Sequence, residues 1–283
     1  MTQLKMPDAR NFGWALKPTS SSHFDIQTRP NGQFAVVLNH ALLRGCRAEM
    51  VHWWFRNFAN LKIMLEDVPG YEGKQVPAYH LWHPIDHYAA SFGGELGPNG
   101  EARAGATIHI QEAMQYDRYG WAYPVDTKLR IYYVGPDGWA MGKAPPLLGP
   151  VMMLRIHFRD VEAEDGLVGV HYHYEVVIGT TAKNPLARAF NRRLTREFGP
   201  EFFAAWHRHN VIEVGAFENF LPPLYDQRAD LENMRYSCDM DPVASAPGAQ
   251  EGFSRDLFES RVAGYSTADN LYVFQQFARP SFI

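Results

Sequence analysis

Short β-like segments separated by turn residues occupy much of the chain. Strands are predicted at residues 33–38, 106–112, 128–134, 151–158 and 168–178. Their short spacing and intervening turn residues favour hairpins of one antiparallel sheet, because parallel strands need long crossover connections.

Three further segments carry helical signals. Residues 47–65 place apolar side chains largely on one side, without Pro or Gly, and are predicted to form a helix. Asn184-Pro185 begins another helical stretch, and a long helix is predicted over 200–220 because proline suits the first helical position. Pro222-Pro223 is predicted to end it. The element order predicts an α+β fold in which an antiparallel sheet curls around a long helix and leaves a cavity.

Three segments are distinguished along the sequence. Residues 1–66 hold an N-terminal strand and a Trp-rich helix, and residues 67–228 form the predicted catalytic domain. Residues 229–283 form a C-terminal extension, which contains a predicted linker at 243–252 that is rich in small residues, Pro and Gly.

Composition narrows the chemistry. The 283 residues include 27 Lys+Arg and 31 Asp+Glu, for a net charge of −4, so nothing favours a nucleic-acid or anionic-membrane partner. Cys46 and Cys238 are too few for a disulfide framework or a thiolate zinc site. Twelve histidines and 14% aromatic residues point to imidazole and carboxylate chemistry in a ring-lined pocket. The sequence has no secretory signal and no membrane span, so we expect a cytoplasmic protein.

The long predicted helix carries a histidine and a glutamate one turn apart. His209 and Glu213 project from the same face, where an imidazole and a carboxylate can share one cation. Such pairs are common on exposed helices as solvated partners. Val211 and Ile212 lie between them, and this apolar setting disfavours a solvated face. A hydrogen-bonded core pair is a further alternative to a metal pair.

A second histidine cluster lies at residues 79–87. His80, His83 and His87 fall within eight residues, together with Pro84 and Asp86. A polar loop would explain them without a ligand. A rigid proline-containing loop can instead hold imidazoles in fixed directions for a metal.

Glu112 ends an alternating strand. Ile108 and Ile110 share its face, whereas His109 and Gln111 point to the other side. An unpaired carboxylate on an apolar face is costly, so a cation or a role as a buried base would explain it. A strand end that is exposed to water is the alternative.

Two other predicted strands carry polar candidates. His157 lies on one, and Tyr172 and Tyr174 share one face of another. The tyrosines could bind phenolic or carbonyl oxygens in a cavity, or they could be ordinary sheet aromatics with satisfied hydroxyls.

Taken together, these segments resemble the family of 2,4-diacetylphloroglucinol hydrolases and phloretin hydrolases. The resemblance covers about residues 30–226. It implies a Bet v 1-like helix-grip fold and hydrolysis of a carbon–carbon bond between an acyl group and a polyhydroxylated aromatic ring. The motifs that carry the resemblance are residues 50–55, residues 79–87, Glu112, residues 209–213 and residues 220–222.

The resemblance also implies one zinc ion per chain. By position its ligands would be His87, Glu112, His209 and Glu213, with His83 as the alternative for the first. Metals that share histidine and carboxylate ligands with zinc, such as iron, cobalt and nickel, stay open.

Catalytic roles follow from the same resemblance. His157 would be the acid/base that protonates the ring, Glu112 would assist the water, and Tyr79 and Tyr172 would contact the substrate. One position departs from the family, because Ala90 stands where the family hydrolase has an asparagine that binds a substrate oxygen. This departure leaves the exact substrate open.

Two other functions fit the same residues. The chain could be a helix-grip protein that binds an aromatic ligand without turnover, or a metal-dependent enzyme that acts on a β-diketone or polyketide. The resemblance further implies a homodimer that acts on a small aromatic ketone.

Overall fold

Two β-sheets and five helices make up the computed structural model, which describes residues 5–14, 16–145, 149–162, 166, 168–198 and 200–238. The strands are β1 (Ser22–Thr28), β2 (Phe34–His40), β3 (Leu43–Arg44), β4 (Lys62–Leu65), β5 (Lys74–Pro77), β6 (His87–Gly93), β7 (Thr107–Ala113), β8 (Pro124–Gly135), β9 (Gly138–Lys143), β10 (Met152–Glu162), β11 (Val168–Ile178) and β12 (Arg235–Tyr236). The helices are α1 (Ala48–Asn57), α2 (Tyr79–Trp82), α3 (Tyr116–Tyr119), α4 (Pro185–Glu197) and α5 (Pro200–Asp226).

The large sheet has nine strands. Its order is β1-β2-β11-β10-β9-β8-β7-β6, with β3 beside β11, and all its neighbours pair antiparallel. All five predicted strands overlap strands of this sheet, and the predicted α+β class with an antiparallel sheet is confirmed. A small sheet, β12-β4-β5, lies apart from it.

The helix predicted over 47–65 is wrong in its second half. Helix α1 ends at Asn57, and β4 follows after a short turn. Burial changes period at this point: Ile63 and Leu65 are fully buried, whereas Lys62 is exposed and Met64 is half-buried. That alternation belongs to a strand.

The prediction that Pro222-Pro223 ends the long helix is also wrong, since α5 continues to Asp226. Each proline removes one backbone donor from the helix. Leu221 and Leu224 are fully buried around this point, so packing on both sides of the prolines holds the last turn in place.

Helix α5 packs against α1, α2, β2 and β3. Between α5 and the large sheet lies a cavity of about 410 Å³. The core on either side of it is rich in rings: Trp54, for example, contacts Trp82, Phe217 and Phe220.

The predicted segments are linked by pairing. Strands β1 and β2 precede residue 66 and pair into the same sheet as the strands that follow it. The first part of the C-terminal extension adds β12 beside β4, and the predicted linker at 243–252 lies outside the described residues. No helix in the described ranges is long and apolar enough to cross a membrane.

Candidate metal centre

Three elements bring the four predicted ligands together. His87 opens β6 and is the cross-strand partner of Glu112 on β7. His209 and Glu213 lie one turn apart on α5, on the face that meets the sheet. All four side chains are buried.

The ligand atoms of these residues face a common space. His87 Nε2 lies 3.7 Å from Glu112 Oε1 and 3.7 Å from Glu213 Oε1. His209 Nε2 lies 3.6 Å from Glu112 Oε2 and 3.9 Å from Glu213 Oε2. These separations are too long for hydrogen bonds. They are close to the spacing of about 3.4 Å between two ligands that each sit about 2.1 Å from a tetrahedral zinc ion.

The imidazole of His87 is oriented by the backbone. Its Nδ1 donates to the carbonyl oxygen of Tyr79 at 2.8 Å, which leaves Nε2 with a free lone pair. Within the described part of the chain this buried Nε2 has no hydrogen-bond partner. Burial, followed by the nearby His209 and His83, holds the pKa of His87 well below its usual value. A neutral, buried and unpartnered imidazole nitrogen is suited to bind a metal.

His209 is oriented by Asp86. Its Nδ1 donates to Asp86 Oδ2 at 2.9 Å, so Nε2 faces Glu112 and Glu213. Asp86 is fixed in turn, because it accepts the backbone N–H groups of Gln115 at 2.8 Å and Tyr116 at 3.0 Å. A carboxylate behind a metal-binding histidine commonly sets its tautomer and direction in this way.

His83 lies behind the site. Its Nδ1 accepts the backbone N–H groups of Ile85 at 3.2 Å and Asp86 at 3.0 Å, so its proton is on Nε2. That nitrogen lies 3.3 Å from Asp86 Oδ2, and the ring stacks on His209 at 4.7 Å. His83, Asp86 and His209 also have donor atoms close to one another, but the Asp86 carboxylate is already engaged by the N–H donors described above. The geometry therefore favours His87 over His83 as the first ligand.

Each glutamate also has a hydrogen-bond donor. The hydroxyl of Tyr79 donates to Glu112 Oε1, and the Tyr79 ring stacks on His87 with 3.8 Å between centroids. Asn210 Nδ2 donates to Glu213 Oε2 at 3.0 Å.

Asn210 is itself held by a third residue. His40 Nε2 donates to Asn210 Oδ1 at 3.0 Å. Burial lowers the pKa of His40 to about 3, so the ring is neutral and acts as a hydrogen-bond donor. The chain from His40 through Asn210 to Glu213 fixes the direction of the second carboxylate.

Burial and neighbouring charges set the protonation of the ligand cluster. Burial lowers the pKa of His209, but the hydrogen bond to Asp86 and the charges of Glu112 and Glu213 outweigh it and raise the value to about 9. Burial raises the pKa of the Glu213 carboxyl. A divalent cation would displace the protons held by His209 and Glu213 and would neutralise the carboxylates of Glu112 and Glu213.

The cluster opens into the cavity between sheet and helix. Glu112, His209, Asn210 and Glu213 form part of its wall, and most of the remaining lining is apolar or aromatic. The sequence prediction that Glu112 faces inward with Ile108 and Ile110 is confirmed, since all three line the cavity.

The structure does not bring His157 into this site. Ile156, its neighbour on β10, lines the cavity, so His157 points to the opposite face of the sheet, where its ring lies 6.1 Å from His173. The prediction that His157 donates a proton to the substrate ring is therefore wrong, because its side chain lies on the face of the sheet away from the cavity.

Tyr172 lies on the predicted face but not in the cavity wall. It is covered by Phe158 and Phe217, and its hydroxyl has no hydrogen-bond partner among the described residues. Tyr174, two residues further along β11, lines the cavity instead. Burial raises the pKa of Tyr174 well above its usual value, and Glu213 and Glu112 raise it further, so the hydroxyl stays protonated.

Asp86 and Asn210 were given no role from the sequence, and Tyr174 was named only with Tyr172 as a candidate to bind an oxygen. Asp86 and Asn210 each stand directly beside a predicted ligand, and Tyr174 shares its strand face with Tyr172. Adjacency alone gave no signal for the first two, because the hydrogen bonds that define their roles join distant parts of the chain.

Comparisons with known proteins assign no function to this site. No protein-family model and no curated protein matches the chain. It is similar to a protein of unknown function from Staphylococcus aureus, with a TM-score of 0.31 and 11% identity over 64% of this chain and 94% of that one. It is also similar to Ara h 8.0201, with a TM-score of 0.31 and 8% identity over 66% of this chain and 98% of that one. TM-scores this low support no conclusion about fold or function.

Proposed function

We propose that this protein is a zinc-dependent hydrolase that cleaves the carbon–carbon bond between an acyl group and a polyhydroxylated aromatic ring, as in the 2,4-diacetylphloroglucinol and phloretin hydrolases. One observation carries the proposal. Two imidazole nitrogens and two carboxylates converge at one end of an aromatic-lined cavity. The large antiparallel sheet, the long α5 and the cavity between them are consistent with a Bet v 1-like helix-grip fold.

The donor set suits a divalent metal. His87, Glu112, His209 and Glu213 would hold it, and the bare Nε2 of His87 supports this fit. When bound, such an ion supplies a water of lowered pKa and polarises a substrate oxygen. Nitrogen and oxygen ligands without thiolate are typical of catalytic zinc centres.

The chain's own residues would handle the substrate and its protons. The reaction adds a proton to the ring carbon that loses the acyl group and a hydroxyl to the acyl carbon, which gives a carboxylic acid. Tyr174, which makes no hydrogen bond within the described part of the chain, replaces His157 as the proposed proton donor to the ring. Because the Tyr79 hydroxyl donates to Glu112, its oxygen would accept a hydrogen bond from a ring hydroxyl of the substrate. The apolar walls would exclude bulk water.

Ala90 stands at the position where the family hydrolase has a substrate-binding asparagine. Ala90 is paired with Ile110 on the neighbouring strand and contributes no polar atom from its side chain. We propose that Asn210, whose side chain lines the cavity, provides polar contact on the helix side instead.

Elemental analysis of the purified protein is the first test, with one zinc per chain expected. Release of carboxylic acid and free phenol from acylphloroglucinols is then measured by chromatography. His209→Ala should lose both metal and turnover. His207→Ala, on the same helix but hydrogen-bonded to Ser22, should keep both. Retention of metal and turnover in His209→Ala would contradict the proposal. If the unmodified protein binds metal but turns over no acyl phenol, a carrier or a β-diketone enzyme would be favoured instead.

A further inference from the structure

The cavity extends well beyond the metal ligands. On β11 its wall runs from Tyr174 through Val176 to Ile178, which at about 3.3 Å per residue is about 13 Å. On α5 it runs from Glu213 back to Phe202, which at about 1.5 Å per residue is about 16 Å. The space is therefore elongated along the sheet and the helix.

The far part of this space has apolar walls. We name it the outer chamber, lined by Met152, Val176, Ile178, Leu194, Phe198 and Phe203. The register places its members together. Met152 pairs with Ile178, Ile178 pairs with Phe34, and the Phe34 ring lies 4.7 Å from that of Phe203.

Few polar side chains line the cavity away from the ligand cluster. Apart from the tyrosines and the ligand cluster with Asn210, the only polar residues that line the cavity in the described ranges are Asp126, Thr127 and Lys143, on β8 and β9. A ligand that reaches from the ligand cluster into the outer chamber therefore meets oxygen-binding groups first and then mostly hydrocarbon. The exposed Lys143 lies beside Met152 on the neighbouring strand. A small acetyl phenol would leave the outer chamber without contacts.

We infer that the ligand of this cavity is a polyhydroxylated aromatic ring that carries a medium-length alkyl or alkanoyl chain, with the chain in the outer chamber. The inference rests on the proposed function for the placement of the ring at the ligand cluster. Methionine and branched aliphatic side chains on the sheet side match a flexible chain, because they make extended van der Waals contact without demanding a fixed ring orientation.

Binding of a homologous series tests this without turnover. Trihydroxybenzenes with an unbranched alkyl substituent have no ketone to cleave, and their affinity for the zinc-loaded protein can be measured by calorimetry. We expect about fourfold tighter binding for each added methylene until the chamber is filled. Affinity that does not change with chain length would overturn the inference.

Larger side chains in the outer chamber should remove the preference for long alkyl chains. Leu194→Trp and Val176→Phe are expected to weaken binding of the longest homologue at least tenfold and to leave the methyl homologue unchanged. Leu186→Trp is the matched control, since Leu186 lies on the same helix and is 83% exposed. Thermal unfolding and zinc content verify that each variant is folded. Equal weakening of both homologues would count against the outer chamber as the chain site.

The two proposals fail in different ways. Chain-length dependence without cleavage of any acyl phenol supports the inference and removes the hydrolase. Cleavage of acetyl and long-chain substrates with equal kcat/KM, together with flat alkyl binding, overturns the inference and leaves the hydrolase in place.

Discussion

Nδ1 of His209 donates a 2.9 Å hydrogen bond to Oδ2 of Asp86, and this contact turns the opposite nitrogen of the ring toward Glu112. Asp86 also accepts two backbone N–H groups from the segment that follows β7. The direction of a helix residue is thus fixed by a loop residue and by the end of a strand.

Asp86→Asn should weaken zinc binding by about ten- to a hundredfold, because a neutral amide orients and polarises the His209 ring less well than a carboxylate. Competition with a chromogenic chelator measures the affinity. Asp25→Asn, on β1 and remote from the ligand cluster, is the control. Unchanged affinity in Asp86→Asn would show that the contact does not support the metal.

Zinc binding should release protons and should tighten as the pH rises toward about 9. The His209 pKa is raised to about 9 and burial raises the pKa of Glu213, so near pH 7 the metal-free protein holds protons that the metal must displace. Above about pH 9 these protons are already lost and the dependence should level off. Calorimetry in buffers of different ionisation enthalpy counts the protons, and a count of zero would contradict the expectation.

Tyr174→Phe should lower kcat at least tenfold while zinc stays bound, because it removes the hydroxyl that we place beside the reacting ring. Tyr172→Phe is the matched control on the same strand face. It should keep its turnover because the Tyr172 ring packs against Phe158 and Phe217 and does not line the cavity. A larger loss in Tyr172→Phe than in Tyr174→Phe would restore the sequence-based assignment.

Lys17→Met should destabilise the fold by about 3–5 kcal/mol. Lys17 Nζ lies 2.6 Å from Glu218 Oε1 with both side chains buried. Removal of the cation leaves a buried carboxylate without its lysine partner, although the backbone N–H of Arg44 still donates to it at 2.8 Å. The double variant Lys17→Met/Glu218→Gln should recover much of the loss. Urea unfolding measures both, and simple additivity of the two single effects would argue against a coupled pair.

Local periodicity predicted the parts of the site that depend on one element. Alternation along β7 placed the Glu112 side chain on the same face of the sheet as Ile108 and Ile110, which is the cavity face. Helical spacing placed His209 and Glu213 on one face of α5. Neither pattern could show that β6 aligns His87 with Glu112, since that register is set by pairing between strands.

The dependence on strand pairing also explains why the predictions for His157 and for residues 47–65 were wrong. His157 was assigned by its resemblance to a family position, and a shift of one residue along a strand moves a side chain to the other face. The helix predicted over 47–65 failed because the apolar residues near Ile63 fit either period until the strand partner is known.

The four ligands come from a strand start, a strand end and a helix near the end of the described chain, so no short stretch of sequence can assemble them. The sheet must be paired and α5 docked before a metal ion meets more than two of its donors. If the proposed metal binds, its capture would be a late event in folding, and the ion would act on a scaffold that has already formed rather than nucleating it. Chelation should empty the site and lower the melting temperature without unfolding the protein at room temperature, in contrast to small domains that depend on zinc to fold.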